Sequence, residues 1–401
     1  MLAYNCAPNR GSEHSFGFNL IKELASNDSR AEIHVFTRTE FKEEIQDAFQ
    51  AYSNVTLNFN FEYELLLRKL KIPAMISFYL TYRIWEMNVF RKLQSYCAIN
   101  SIELVHKLNI IAYEYLGNLH HLKGIKTIAG PLSGFEDMPK VFRRYLSFGD
   151  KVFYFIRSTL KKINKDKILK ILNSGSISHL LVNDILLESK LAGANTYFFD
   201  SYCLSINANI KSDNNSAEPK IKVLLAARWV SRKGYSFLNS VLDKIDNTRI
   251  EFCICNDGPF KKIFLERLNK FGFDYCDYGI LNSNDLNNLM SECDFLCYPS
   301  FLDANTNLIP QALDNSLPVL AFKRNSYSRF LKNNISLLLD IDGLSNSEIE
   351  NLFVQSINSL ASDREQILFY RKNIPDFVNT MSYSNAASQL LSIYKKVING
   401  L

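Results

Sequence analysis

Short apolar runs alternate with longer segments of helical period along the whole chain. In the second half the β-rich runs are 221–227, 250–255, 294–298, 318–322 and 336–341. Between them, 260–271, 283–291 and 307–315 repeat apolar positions at helical spacing. The first half repeats the pattern at 32–37, 55–61, 102–106, 125–130 and 179–183, after a very short strand near the N-terminus. Apolar strands alternating with helices predict a parallel sheet covered on both faces. The polar stretch 207–219, which contains Lys211-Ser212-Asp213-Asn214-Asn215-Ser216, predicts a linker. The predicted domains are then 1–205 and 206–375, with a helical segment at 376–401 packing back on the first. Two Rossmann-like halves of this kind face one another across a cleft, with strand C-termini turned into it.

Composition narrows the class. With 47% apolar and 22% charged residues, and only 15 Gly and 10 Pro in 401, the chain is globular and neither disordered nor collagen-like. The net charge of +5 lies entirely before Ser205, which predicts an acidic partner for that half. It is too small an excess for a nucleic-acid binder. Eight cysteines form no C-x-x-C pair, and several sit inside apolar runs. They read as buried free thiols in a reducing cytoplasm, not as zinc ligands. The N-terminus shows no basic-then-apolar secretory pattern. The apolar run 72–85 is too short to span a bilayer and carries Arg83.

Several strand ends carry polar residues suited to a ligand. After the strand at 221–227 come Arg228 and Lys233, two cations five residues apart beside a helix start. They suit a diphosphate; the plainer reading is a solvated basic loop. Asn256-Asp257-Gly258-Pro259 reads as a tight turn with Pro259 opening a helix. Tyr298-Pro299-Ser300-Phe301-Leu302-Asp303 is followed by Asn305, Thr306 and Asn307, with Leu308 and Gln311 on the next helix. A carboxylate in that loop and an amide two turns on could bracket one ligand, or simply cap a helix. In the first half, Gly11, Ser12 and Glu13 join the short strand to a helix, and their amides could meet an anion. His106 ends a strand, where a histidine serves proton transfer or, more often, structure. Gly130-Pro131-Leu132-Ser133-Gly134 is a strand-end turn open to close backbone approach.

Taken in order, these stretches resemble retaining glycosyltransferases of family 4, which have the GT-B fold. Ala227-Arg228-x4-Lys233-Gly234 resembles that family's Gly-Arg-x4-Lys-Gly, and Asn256-Asp257-Gly258-Pro259 its Gly-Asp-Gly-Pro. Tyr278-Gly279-Ile280-Leu281 resembles the element that contacts the nucleotide base, and Tyr298-Pro299-Ser300 the strand end before the donor loop. The resemblance covers nearly the whole chain and points to the branch found in cell-surface polysaccharide pathways. It implies a UDP- or GDP-linked sugar as substrate, with no cofactor and no metal. Arg228 and Lys233 would hold the diphosphate, and Gly11 and Ser12 would lie beside it. Gly258, Ile280, Ser300, Asn305, Thr306, Asn307 and Leu308 would line the donor site. The family's Glu-x7-Glu pair falls on Asp303, facing the sugar, and Gln311, facing the ribose. His106 would face the transferred sugar, and the first half would bind a lipid-linked or saccharide acceptor. Neither pair member is Glu here, and Asn305, Thr306 and Asn256 stand where the family has glycine. Two alternatives remain open: a nucleotide-sugar epimerase or hydrolase on this fold, and a non-catalytic GT-B subunit that binds a partner transferase.

Ten Lys/Arg and two Asp lie between Lys140 and Lys170, interleaved with Phe142, Tyr145, Phe148, Phe153, Tyr154 and Phe155. Upstream, Arg68-Lys69-Leu70-Lys71 precedes the apolar run that carries Trp85, Arg91 and Lys92. Basic residues among aromatics suit an anionic membrane surface. The expectation is a cytoplasmic enzyme held peripherally at the inner face of the membrane.

Overall fold

A computed structural model describes residues 1–8, 12–60, 74–191, 194–201, 203, 220–303, 306–324, 327–328 and 331–400. The predicted linker 207–219, the basic run Arg68–Lys71, Gly11 and Asn305 lie outside the described residues, as does the side chain of Ser12.

The chain forms two compact units. The first comprises Met1–Phe135, Lys161–Cys203 and Ser382–Leu401; the second comprises Glu136–Leu160 and Leu204–Met381. The first unit holds β1 (Leu2–Ala3), β2 (Ile33–Arg38), β3 (Val55–Asn60), β4 (Leu104–Asn109), β5 (Lys126–Leu132), β6 (His179–Val182) and β7 (Thr196–Phe198). Their order is β3-β2-β1-β4-β5-β6-β7, and every pair is parallel. The second holds β8 (Ile221–Leu225), β9 (Ile250–Cys255), β10 (Asp274–Gly279), β11 (Phe295–Tyr298), β12 (Val319–Phe322) and β13 (Ser336–Leu339). Their order is β10-β9-β8-β11-β12-β13, again parallel throughout. Each sheet reverses its direction of growth once, between β1 and β4 and between β8 and β11. A crevice opens at such a reversal, because the connections on its two sides leave toward opposite faces.

Burial explains the strands. β9, β11 and β12 are buried nearly throughout, which is why they read as continuous apolar runs. β10, with the sequence DYCDYG, is largely exposed at a sheet edge, and its polarity hides it from a hydrophobicity reading. Helix Tyr383–Asn399 belongs to the first unit, where Tyr383, Ala387, Leu390, Ile393 and Val397 pack with Phe16, Leu20 and Leu24. Their three- and four-residue spacing puts one apolar face against helix Ser12–Asn27.

Two expectations change. Residues Glu136–Leu160, placed in the first domain by the sequence, fold with the second unit. Phe142 stacks on Phe301 with ring centroids 4.2 Å apart, Tyr145 bonds Glu350 at 2.6 Å, and Arg324 pairs with Glu136. Burial of those aromatic rings, at about 1.5–3 kcal/mol each, outweighs sequence proximity to the first sheet. The apolar run around Trp85 also proves to be core. Tyr82, Trp85, Val89, Leu93 and Cys97 of helix Ala74–Ile99 are all buried in the first unit. No described helix is long and apolar enough to cross a membrane.

Candidate functional site

In the second unit, Arg228, Lys233, Ser300 and Asp303 lie beyond the C-terminal ends of β8 and β11, at the reversal point. β8 runs into Ala226-Ala227, whose backbone is fixed by the buried Tyr235: the Ala227 amide donates to its hydroxyl at 2.9 Å. Trp229 stacks on the Tyr235 ring at 3.9 Å and donates its indole N–H to the Cys255 carbonyl at 2.8 Å. Arg228 sits between these anchors with its own side chain exposed to solvent. A 3-10 turn, Ser231–Lys233, then ends at Gly234, whose φ is +80°. A Cβ on Gly234 would lie 1.8 Å from the Pro299 carbonyl oxygen. The motif's glycine therefore lets the loop after β8 touch the loop after β11. The same contact is made by the Phe301 amide, which donates to the Arg232 carbonyl at 2.9 Å.

That close approach brings Lys233 onto Asp303. The two form an ion pair, with their side chains 11% and 8% exposed. Tyr298, the last residue of β11 and wholly buried, completes the group. Its hydroxyl lies 2.6 Å from the Lys233 Nζ and donates to the Asp303 carboxylate. Burial lowers the Lys233 pKa, and Asp303 pulls it back up. Arg228 and Arg232 add positive potential beside it. The buried pair is neutral as a unit, so the net positive potential beside it comes from Arg228 and Arg232, and Arg228 turns its share to solvent.

The other predicted residues fall into two groups. Gly258, at φ +150°, lies where a Cβ would strike the Trp229 carbonyl at 2.5 Å, so it shapes the loop that carries Arg228. Asn256 replaces a family glycine yet keeps the left-handed backbone, at φ +68°. Asn tolerates that region better than other side chains, and its amide is held by the Ala226 carbonyl at 2.8 Å. Ile280, beyond the end of β10, is 77% exposed. Gln311 donates to Asn287 at 2.8 Å, which fixes its amide against helix Ser283–Glu292.

Three expectations on this loop and its surroundings need revision. Ser300 is fully buried and donates to the Arg232 carbonyl at 3.4 Å, so it joins the two loops and does not face a ligand. Helix Leu308–Asp314 has only seven residues, and the Leu308 amide already donates to Thr306 Oγ1 at 3.3 Å. The Leu308 amide, expected to line the donor site, is thus already satisfied inside the loop. In the first unit, His106 is 1% exposed with both ring nitrogens bonded inside the unit. Nε2 meets the Gly130 carbonyl at 2.7 Å, and Nδ1 meets the Tyr394 hydroxyl at 2.5 Å. The carbonyl can only accept, so Nε2 carries the proton and Nδ1 accepts from tyrosine. Burial drives its pKa down to about 3. His106 is a neutral packing histidine that ties β4, β5 and the C-terminal helix together. It has no free nitrogen for a sugar.

Sequence reasoning passed over two groups. Tyr298 enters the sequence only within a strand-end motif; its hydroxyl, five residues before Asp303, is the available signal. At the β1/β4 reversal, buried Lys107 donates to the Ile110 carbonyl at 2.7 Å, and its pKa falls to about 8 by desolvation. Glu13 accepts there from the Asn5 amide at 2.9 Å and the Ile111 amide at 3.3 Å. Lys107 lay inside an apolar strand and gave no motif. Among the described residues, no cluster of three or more His, Cys, Asp or Glu forms a metal site.

Comparison with known proteins bears on this geometry. No family model matches the chain. It is 27% identical over 186 residues to protein CapJ of Staphylococcus aureus, a match covering 45% of this chain and 46% of CapJ. The match thus spans less than half the length of that relative. In three dimensions the chain resembles Anabaena Alr3699/HepE in complex with UDP, with a TM-score of 0.61 and 12% identity over 97% of this chain and 98% of that one. It also resembles the lipopolysaccharide outer core galactosyltransferase WaaB in its apo form, with a TM-score of 0.64 and 11% identity over 100% and 98%. The chain has the GT-B fold, as the order of motifs implied.

Proposed function

We propose that this chain is a glycosyltransferase that moves a hexose, with retention, from a nucleotide diphosphosugar to a lipid-linked saccharide in surface-polysaccharide synthesis. The observation that carries the reading is the Lys233–Asp303–Tyr298 group beside the exposed Arg228, at the strand reversal of the second unit. The fold neighbour bound to UDP supports a UDP donor, and the partial match to CapJ supports a capsule-type product.

The chemistry asked of the site is modest. As the sugar–phosphate bond breaks, negative charge builds on the leaving diphosphate. Arg228 and Lys233 are the cations in place to stabilise it, and the reading assigns that task to them, not to a metal. Asp303 is the group within reach of both the phosphate-binding lysine and the sugar. The acceptor hydroxyl attacks from the side of the departing diphosphate, which takes its proton. Ile280 packs on the base and Gln311 on the ribose. The first unit holds the acceptor.

Arg228→Ala should weaken UDP binding about tenfold or more, since one charge-assisted contact is worth about 1.5–3 kcal/mol. Because Arg228 is exposed and its anchors are its neighbours, the melting curve should not move. Titration calorimetry with UDP and GDP checks this. An unchanged dissociation constant removes Arg228 from the phosphate site.

The reading also places the protein on an anionic membrane surface. Helix Phe148–Asn173 exposes Phe148 at 83% and Phe155 at 71%, together with Val152 and Ile156. At 3.6 residues per turn these four fall within about 100° of arc, edged by Lys151. Phe142 and Tyr145 are buried and take no part. Phe155→Glu with Ile156→Glu should abolish pelleting with anionic vesicles and leave UDP affinity unchanged. Equal pelleting of wild type with neutral and anionic vesicles, insensitive to salt, would remove the electrostatic component of this assignment.

A further inference from the structure

Lys233 is not a free cation waiting for phosphate. One hydrogen of its ammonium is committed to Asp303 and another points to the Tyr298 hydroxyl at 2.6 Å. The Tyr298 hydroxyl in turn donates to the same carboxylate oxygen, Oδ2, that Lys233 holds. The three groups close a ring, and Tyr298 is buried at its base. The other charged groups acting on Lys233, Arg232 and Arg228, are cations. Asp303 is the anion bonded to Lys233, so a phosphate that takes this lysine must face it. Its short side chain matters here. The family's usual glutamate carries one more methylene, whereas aspartate at this position sits directly on the lysine.

We infer that Asp303 makes the site discriminate between an intact sugar nucleotide and a bare nucleoside diphosphate, by competing with phosphate for Lys233. This rests on the reading that Lys233 meets the diphosphate. A bare diphosphate brings only negative charge. To bond Lys233 it must displace Asp303, leaving a buried carboxylate with one partner fewer. A sugar nucleotide brings hydroxyl donors on the next group along. These replace the lysine as partners of Asp303 at the moment the phosphate takes the lysine. The carboxylate thus penalises the product and is compensated by the donor. The consequence is ready release of the nucleoside diphosphate after transfer. Tyr298 is a positioning residue in this exchange, since it keeps the Asp303 carboxylate at the site while the lysine changes partner.

The test is titration calorimetry of wild type, Asp303→Asn and Asp303→Ser with UDP, and with GDP as a second arm. Removing the carboxylate should tighten binding of the bare nucleotide at least fivefold, although it removes a group of the proposed active site. In a Lys233→Met background the same substitution should change affinity less than twofold, because the contested cation is gone. Two neutral replacements are used so that at least one folded variant is obtained, judged by its circular dichroism melt. Equal or weaker UDP binding by the folded variants, when wild type binds UDP, overturns the inference and leaves the proposed function standing. A gain that persists undiminished with Lys233→Met also overturns it, since repulsion without competition would then suffice. If neither wild type nor variant binds UDP or GDP, the nucleotide-sugar reading falls and takes the inference with it.

Discussion

Gly234→Ala is expected to destabilise the second unit by about 2–5 kcal/mol and to reduce UDP binding at least tenfold. A non-glycine residue in the left-handed region costs about 1–2 kcal/mol. The new methyl would also lie 1.8 Å from the Pro299 carbonyl oxygen and 2.6 Å from its carbon. Both neighbours are backbone, so no flexible side chain can swing aside, and overpacking adds about 1–3 kcal/mol. The loops must separate, and the separation falls on the contact that seats Lys233 against Asp303. Stability and binding are therefore lost together. For a unit of this size each kcal/mol moves the midpoint by about 2–4 °C, so the melt should fall by roughly 4–20 °C. Gly272 is the internal control. It is also left-handed, at φ +69°, but a Cβ there meets only the Asn247 amide at 3.5 Å, so alanine should cost about 1–2 kcal/mol and spare binding. A Gly234→Ala protein that melts with Gly272→Ala and binds UDP normally would show that the two loops do not depend on each other.

Asp303→Asn is expected to lower kcat about a hundredfold, equivalent to about 2.7 kcal/mol of transition-state stabilisation. The residue keeps its volume and can still accept a hydrogen bond, so the change removes charge and little else. Asp303 lies on Lys233, which the proposed function sets at the diphosphate, beside the bond that would break. Gln311 makes the contrast. It is tied to Asn287, away from the Lys233–Asp303 pair, and its loss should raise KM with kcat little changed, as expected for uniform binding. Gln311→Glu should be tolerated. Steady-state kinetics with the donor identified from a panel of UDP- and GDP-sugars decides. Full kcat in Asp303→Asn would mean that the carboxylate has no role in turnover and would favour a non-catalytic role for the chain.

Much of this protein was legible before its structure. The apolar runs marked β8, β9, β11, β12 and β13 because strands buried on both faces must be apolar throughout. The loop after β8 was legible because Arg228, Lys233 and the closing Gly234 keep a fixed spacing: local backbone geometry, unlike packing, is written in adjacent residues. Asn256 shows the limit of that local code. It stands where the family has glycine, yet it adopts a left-handed backbone and the turn forms.

What the sequence could not decide was which polar groups face a ligand and which face each other. His106 looked chemical at a strand end, and Tyr394, 288 residues away, made it structural. Lys233 and Asp303 looked like separate contacts, 70 residues apart, and the close approach of two loops made them one ion pair. The aromatic–basic stretch 140–170 looked uniform, and only packing divided it into Phe142 and Tyr145 inside and Phe148 and Phe155 outside. The physical reason is common to all three. Backbone conformation and hydrophobic period depend on near neighbours, so the sequence by itself determined two α/β units and their turns. Burial, pairing and protonation depend on groups brought together across long stretches of chain, and those the tertiary structure alone decided.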